Sequence, residues 1–397
     1  DDRPTITNNT IVATRETNGI WASYADIENN HIEKGPDNNN DEWAIGHGDY
    51  NVIRNNTIIG MRDGIYADDR TDNVIENNHI ETRFYGIYAN NAHGDLVIRN
   101  NTLDKYTTEG DWLVYVTNTD SVVVTGNDMR ADGGSGIYVS NTVLQISGNL
   151  VETPGRGLDI SNQVAGPVVN NTFISTGGDY GMYVTNLSDP DIYSNIIQGF
   201  QTGIRAESEV SDISFNDLWD NDATFSGAGL PDLIGEVVTV NSNNDPSDVY
   251  ANIFQDPLFM AADSFNLQSG SPCIDAGSPS SYDLDGTISD IGAYFYNYGY
   301  APYNLRADST GEGFVYLSWD IIATDSLQSY KAFYKLTTES EWTEAGTATI
   351  KEYTYSGLTN NVIYNFATKA VYPNYESNLS PAISAKPGLA DISSTPA

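Results

Sequence analysis

Cysteine occurs once in the 397 residues, at Cys273, which excludes an internal disulfide framework. Basic side chains are also scarce: 18 Lys and Arg face 54 Asp and Glu, for a formal charge of −36. Residues 1 to 300 contain only two lysines, Lys34 and Lys105, and hold 12 basic against 44 acidic side chains, a balance of −32. Phosphate binding depends on basic patches, so nucleic acid is excluded as a partner. No apolar run approaches the roughly 18 residues of a membrane span, so no transmembrane segment is expected. The first residues show no signal-peptide pattern, as in a mature secreted chain. Little lysine with abundant Asp, Asn and Thr suits an extracellular, salty or calcium-containing medium, and the expected location is secreted or cell-surface. With 39 % hydrophobic residues, 35 Gly and 26 Tyr, the composition is globular and rich in turns.

The most informative positive feature is an internal repeat. An asparagine column reads Asn9, Asn30, Asn56, Asn78, Asn101, Asn127, Asn149, Asn171, Asn195 and Asn216, with steps of 21 to 26 residues. That period is too short for a helix pair or a propeller blade and fits one coil of a β solenoid. A second signature lies roughly a dozen residues upstream in each unit. It appears as Gly19-Ile20-Trp21-Ala22, Gly64-Ile65-Tyr66-Ala67, Gly86-Ile87-Tyr88-Ala89, Gly136-Ile137-Tyr138-Val139 and Gly181-Met182-Tyr183-Val184. Period-two alternation sends Ile20, Ile65 and Ile87 to one face and Trp21, Tyr66 and Tyr88 to the other. Stacked coils place equivalent residues about 4.8 Å apart, so each column becomes a ladder. The asparagines are expected to take the left-handed corner and to bond to the copies above and below. A second turn column reads Asp69, Asn91, Asn118, Asn141, Asn162 and Asn186. Glu28, Arg54, Glu76 and Arg99 alternate in charge along a further column.

On these motifs the chain resembles the secreted bacterial right-handed parallel β-helix proteins of the pectate-lyase-like superfold, over residues 5 to about 296. Asp256-Pro257-Leu258-Phe259, Gly270-Ser271-Pro272-Cys273-Ile274-Asp275-Ala276-Gly277 and Asp290-Ile291-Gly292-Ala293-Tyr294 look like the closing coils of such proteins. Residues 220 to 249 read as a long excursion before them. From Ala301 the period changes to that of a seven-strand sandwich, with Val315-Tyr316-Leu317-Ser318-Trp319 and with Tyr364 six residues after Leu358. This stretch is similar to fibronectin type III. The expected class is therefore all-β. A right-handed parallel β-helix with coils of about 22 residues and Asn ladders fills residues 1 to 300. A fibronectin type III-like β-sandwich follows over 301 to 388, and a linker or tail over 389 to 397.

Three features bear on chemistry. Trp21, Tyr66, Tyr88, Tyr115, Tyr138 and Tyr183 form an outward aromatic column suited to binding a polysaccharide or cell-surface glycan. The alternative is cross-strand stacking that stabilises the solenoid without a ligand. Asp159 and Arg205 interrupt the column and, with Arg156 and Glu207, form a charged patch on it. The resemblance implies that a polysaccharide lyase would need a Lys or Arg base and a cation or basic group beside a uronate. Arg205 with Asp159 is the candidate pair, against an ordinary structural ion pair. Fragments of a glycoside hydrolase set, Gly46-His47-Gly48, Asp68-Asp69 and Asn118-Thr119-Asp120, stand in reversed order. They are read as coincidence, and a cluster of His47, Asp68, Asp69 and His93 as a solvated turn. Finally, Asp283, Asp285 and Asp290, around Gly286, place hard oxygens near one point and suggest a structural Ca2+. Cys273 is expected to be packed rather than reactive.

The functional expectation is an extracellular, surface-associated β-helix with a glycan-binding or structural role and no evident catalytic set. The alternative is a polysaccharide lyase or glycoside hydrolase acting on an acidic polysaccharide. Because Ile6 and Asn9 already occupy ladder positions, the first coil is expected to be covered by an upstream cap or by self-association, as in a filament.

Overall fold

The computed structural model describes residues 3–14, 17–35, 43–68, 71–108, 112–261, 264–283, 287–296, 301–321, 327–372 and 376–388. It divides into two compact units, Asp1–Ser281 with Ser289–Tyr296, and Tyr282–Ile288 with Asn297–Ala397.

In the first unit each coil contributes one strand to each of three parallel sheets of ten strands. Sheet A contains Asp26–Glu28, Val52–Arg54 and Thr71–Glu76; sheet B contains His31–Lys34, Thr57–Met61 and His79–Thr82; sheet C contains Trp43–His47, Asp63–Asp68 and Ile87–Asn90. The alternation read from sequence sets the register, so that Ile27, Ile53, Ile75 and Ile98 pair in sheet A and Ile32, Ile58, Ile80 and Leu103 in sheet B. All eight are fully buried. A slip of one residue would turn every such side chain outward, so register and core are the same constraint.

The asparagine column has a different division of labour from the one expected. The left-handed residue is the one before the rung: Asn29, Asn55, Asn77 and Asn100 have φ of 57, 56, 55 and 53°, and Gly126 and Gly148 replace Asn at that position. Freed from the turn, the rung asparagine saturates its amide. The Nδ2 of Asn56 donates to Ile27 O at 2.8 Å and to Asn78 Oδ1 at 3.0 Å, and that same Oδ1 accepts the Asn56 backbone N–H at 3.0 Å. The Asn-Asn pairs thus combine αL tolerance with ladder bonding. The ladder also runs one rung further than the sequence suggested. Asn216 donates to Asn252 Oδ1 at 3.0 Å, so the chain returns to the column after the excursion. Along sheet A, Arg54 and Arg99 donate through Nε to Glu28 and Glu76, each at 2.7 Å.

The last coils are closed by two devices. Gly292 N donates to Ser194 O and Ala293 N to Thr172 Oγ1, both at 2.9 Å, strapping residues 289–296 across earlier coils. Beneath this lies Asp217, fully buried, whose Oδ1 accepts Gln255 N–H at 3.2 Å and whose Oδ2 accepts the Cys273 thiol at 3.2 Å. Burial pushes the Asp217 carboxyl up to about 8 and the Cys273 thiol well above the usual range.

The second unit pairs Tyr303–Gly311, Phe314–Asp320 and Glu352–Ser356 in one antiparallel sheet. The other holds Thr343–Ala348, Ser329–Leu336, Tyr364–Val371 and Ile383–Ala385. Trp319, buried as expected, meets Tyr330 edge-on at 5.2 Å, and Tyr364 Oη accepts Thr359 N–H at 3.2 Å, tying the corner before its strand. The division into three and four strands is that of a fibronectin type III sandwich.

Candidate functional site

Sheet C brings the expected aromatic residues into one column, because Tyr66, Tyr88, Tyr115 and Tyr138 are register partners on successive strands. The rings stack face to face, with centroids 5.0, 5.2 and 4.9 Å apart and planes within 3 to 8° of parallel. Between Trp21 and Tyr66 the column position is Gly46, which has no side chain to stack. Trp43 fills the place: its ring lies 4.6 Å from Tyr66 and 6.2 Å from Trp21. A Cβ on Gly46 would stand 2.4 Å from Trp43 Nε1 and 2.5 Å from the Trp21 ring, so glycine is what admits the indole. A second flank joins the column, with Tyr85 inclined by 57° to Tyr88 and Trp112 by 50° to Tyr138. Sequence reasoning missed Trp43, Tyr85 and Trp112 because they precede the glycine-started alternation rather than falling within it.

This geometry changes what the column can do. Stacked rings use their faces on one another, and the middle rungs offer edges and hydroxyls instead. Tyr66 Oη donates to Asp68 Oδ2 at 3.2 Å, and burial, ahead of the nearby Asp68 charge, pushes its phenol up to about 12. Asp68 Oδ1 also accepts Asn90 Nδ2 at 2.9 Å, so Asp68 is held within a polar edge column. Asp69 lies outside the described residues, as does the side chain of His47. His93 is exposed and stands 4.0 Å from Asp120.

Asp159 follows Tyr138 in register and Tyr183 follows Asp159. The short carboxylate opens a cleft of about 1100 Å³ lined by Tyr138, Asp159, Tyr183, Asn186, Asp189 and Glu209 among others. Asp159 is 4 % exposed, and its partner is Arg156, whose Nη1 donates to Oδ2 at 2.5 Å. Arg156 also lies over Tyr183 at 4.8 Å and Tyr180 at 5.2 Å. Burial raises the Asp159 carboxyl in spite of this pairing. The pair anticipated from sequence, Arg205 with Asp159, is therefore replaced by two local ones, because Arg205 Nε donates to Glu207 at 2.8 Å. The Glu207 hydrogen bond raises the Arg205 guanidinium further, opposite to what a general base requires.

Of the three aspartates considered for calcium, Asp285 lies outside the described residues. Asp290 is buried and spends both oxygens on backbone amides, Oδ1 accepting Asp275 N–H at 2.7 Å and Oδ2 accepting Tyr296 N–H at 2.5 Å. Asp283 N–H donates to Thr287 O at 3.0 Å. Among the described residues, no three His, Cys, Asp or Glu side chains come together as metal ligands. No helix of the described residues is long and apolar enough to cross a membrane.

Residues 3–177 match the family model described as periplasmic copper-binding protein (NosD), and residues 112–244 match that of the right-handed β-helix region. No curated protein matches. Among solved structures, a human fibronectin type III domain containing protein 3 domain is 16 % identical over 26 % of this chain and 100 % of its own, with a TM-score of 0.22. A titin fragment is 22 % identical over 22 % of this chain, with a TM-score of 0.22; this chain spans 32 % of that fragment. A β-1,2-glucanase from Parabacteroides distasonis is 18 % identical over 23 % of this chain and 13 % of its own, with a TM-score of 0.20. The three parallel sheets and the Asn ladder, with the similarity of residues 112–244 to the right-handed β-helix region, give this chain the fold of a right-handed parallel β-helix followed by a seven-strand, fibronectin type III-like unit.

Proposed function

We propose that the protein works outside the cytoplasm as a non-catalytic β-helix that holds an uncharged glycan against sheet C, with the sandwich as a spacer. The observation that carries this reading is the aromatic face itself: a stacked column from Trp43 to Tyr138, flanked by Tyr85 and Trp112 with their planes turned away from the column. Amphipathic rings with accessible edges and hydroxyls suit a ligand that is apolar on its faces and polar at its rim. The −32 balance of residues 1 to 300 disfavours polyanions. A periplasmic or extracellular location accords with the similarity to a periplasmic family.

The copper named in that family's description is not carried over: the described side chains of His31, His79 and His93 stand apart, each beside a carboxylate, Glu33, Glu81 and Asp120, and no three metal-ligating side chains come together among the described residues. The lyase alternative is disfavoured by the raised Arg205. Isothermal titration with cellotetraose, xylotetraose and mannotetraose, alongside galacturonate tetramer, tests the proposal. Binding of a neutral tetramer, weakened in a Tyr85→Ala, Trp112→Ala double variant, is expected. Binding confined to the galacturonate tetramer, or release of unsaturated uronate ends, would reverse it.

A further inference from the structure

The end of the aromatic column is an unfinished stack. Each inner tyrosine has a ring on both sides. Tyr138 has ring partners only in Tyr115 and Trp112, both on the preceding coil, among the described residues. On its other side the rung belongs to Asp159, too short to cover it; the next aromatic rung, Tyr183, is two strand spacings away, about 9.6 Å, and the Arg156 guanidinium lies against Tyr183 at 4.8 Å, which leaves the Tyr138 side of the gap open. The floor of the gap is polar and held in place. Asp159 is nearly buried, Arg156 fixes Oδ2, and Oδ1 takes no hydrogen bond among the described residues. A carboxylate oxygen held in place at the lining of a cleft is a strong acceptor. The charges around it are largely matched, Asp159 by Arg156 and Glu207 by Arg205. Asp189 and Glu209 remain at the wall, acidic enough to repel a uronate.

We infer that one pyranose ring of an uncharged glycan completes the column here, stacked on the free face of Tyr138 in the rung left open by Asp159, with Asp159 Oδ1 accepting from its hydroxyls. This rests on reading sheet C as a glycan face and adds where a sugar ring is selected. Asp159 is the residue that selects for hydroxyls, and Arg156 is a positioning residue that acts through it.

The test uses the full chain and the neutral tetramer that binds most tightly of cellotetraose, xylotetraose and mannotetraose. Asp159→Asn preserves shape but weakens the acceptor, and an affinity loss of about tenfold is expected from replacing a charge-assisted hydrogen bond by a neutral one. Tyr138→Ala removes the stacking surface and is expected to cost at least as much. Asp159→Tyr completes the column with a protein ring and is expected to abolish binding while keeping the fold, since its register neighbours are tyrosines. Unchanged circular dichroism and melting of Asp159→Asn guard against a general structural effect. If Tyr88→Ala, in the middle of the column, costs as much as Tyr138→Ala while Asp159→Asn and Asp159→Tyr bind like the parent, the glycan face stands and the subsite is overturned. If none of the three tetramers binds the parent, both readings fall.

Discussion

Asp217 offers a measurement whose sign and size both follow from its position. Its carboxyl is fully buried, in contact with one backbone N–H and one thiol, and burial pushes it up to about 8. In the unfolded chain it ionises near 3.9, so between about pH 4 and 8 the folded state must keep a proton that the unfolded state releases. A group raised in this way contributes stability that is present below its unfolded value and lost as pH rises through its folded value. The loss is about 1.4 kcal/mol per pH unit, or about 4 kcal/mol at pH 7. Asp217→Asn mimics the protonated acid: its Oδ1 can still accept from Gln255, and its amide can face the Cys273 sulfur. Urea or thermal unfolding of parent and variant at pH 5, 6, 7 and 8 should therefore diverge, with the variant gaining about 3 kcal/mol on the parent between pH 5 and 7. Parallel curves across that range, or a variant less stable at every pH, would refute the claim that a neutral acid closes the last coils.

Other expectations follow from equally local features. Asn78→Ala leaves the Asn56 N–H and Ile53 C=O without their side-chain partners inside the column, and at about 1–3 kcal/mol per unsatisfied buried group it should destabilise by about 2–6 kcal/mol; amide exchange should accelerate most in the neighbouring coils. Gly46→Ala forces Trp43 or Trp21 out of the column, so tryptophan emission should shift to the red and Tm should fall, whereas unchanged emission would show that the indole does not depend on the glycine. A structural Ca2+ at Asp283, Asp285 and Asp290 remains a proposal, which predicts that calcium raises Tm by mass action and that Asp285→Ala abolishes the rise; an equal rise in the variant would dismiss it.

The repeat was legible because its causes are local. Alternation places Ile53 and Ile75 inward whatever surrounds them, and asparagine pairs mark the corners. What escaped notice depends on contacts between coils. Trp43 occupies the rung of Gly46, three residues on in the same strand, because Trp21 and Tyr66 of the coils on either side hold its ring there, which no pattern within one coil reveals. Asn252 is a rung that the 36-residue step from Asn216 hides. The sequence marks Asp159 as a break in the column and offers Arg205, two coils away, as its partner. The observed partner, Arg156, lies three residues earlier and reaches the carboxylate within the same coil. Nothing in the Asn216-Asp217 sequence marks Asp217; the packing of Cys273 against it makes it a buried acid.

The nearly parallel rings of Tyr66, Tyr88, Tyr115 and Tyr138 have a consequence for how such a molecule changes length. Neighbouring strands in most sheets turn by about 20 to 25°, so that a marker repeated on each strand spirals out of line. Here the marker keeps one orientation over four rungs, and the coils behave like links on a straight ruler. Duplicating one complete coil would lengthen the ruled edge by about 4.8 Å and leave every other mark where it was. Inserting part of a coil would break the marking at that point. The reach of the surface can thus be altered by whole repeats, independently of what any single mark recognises.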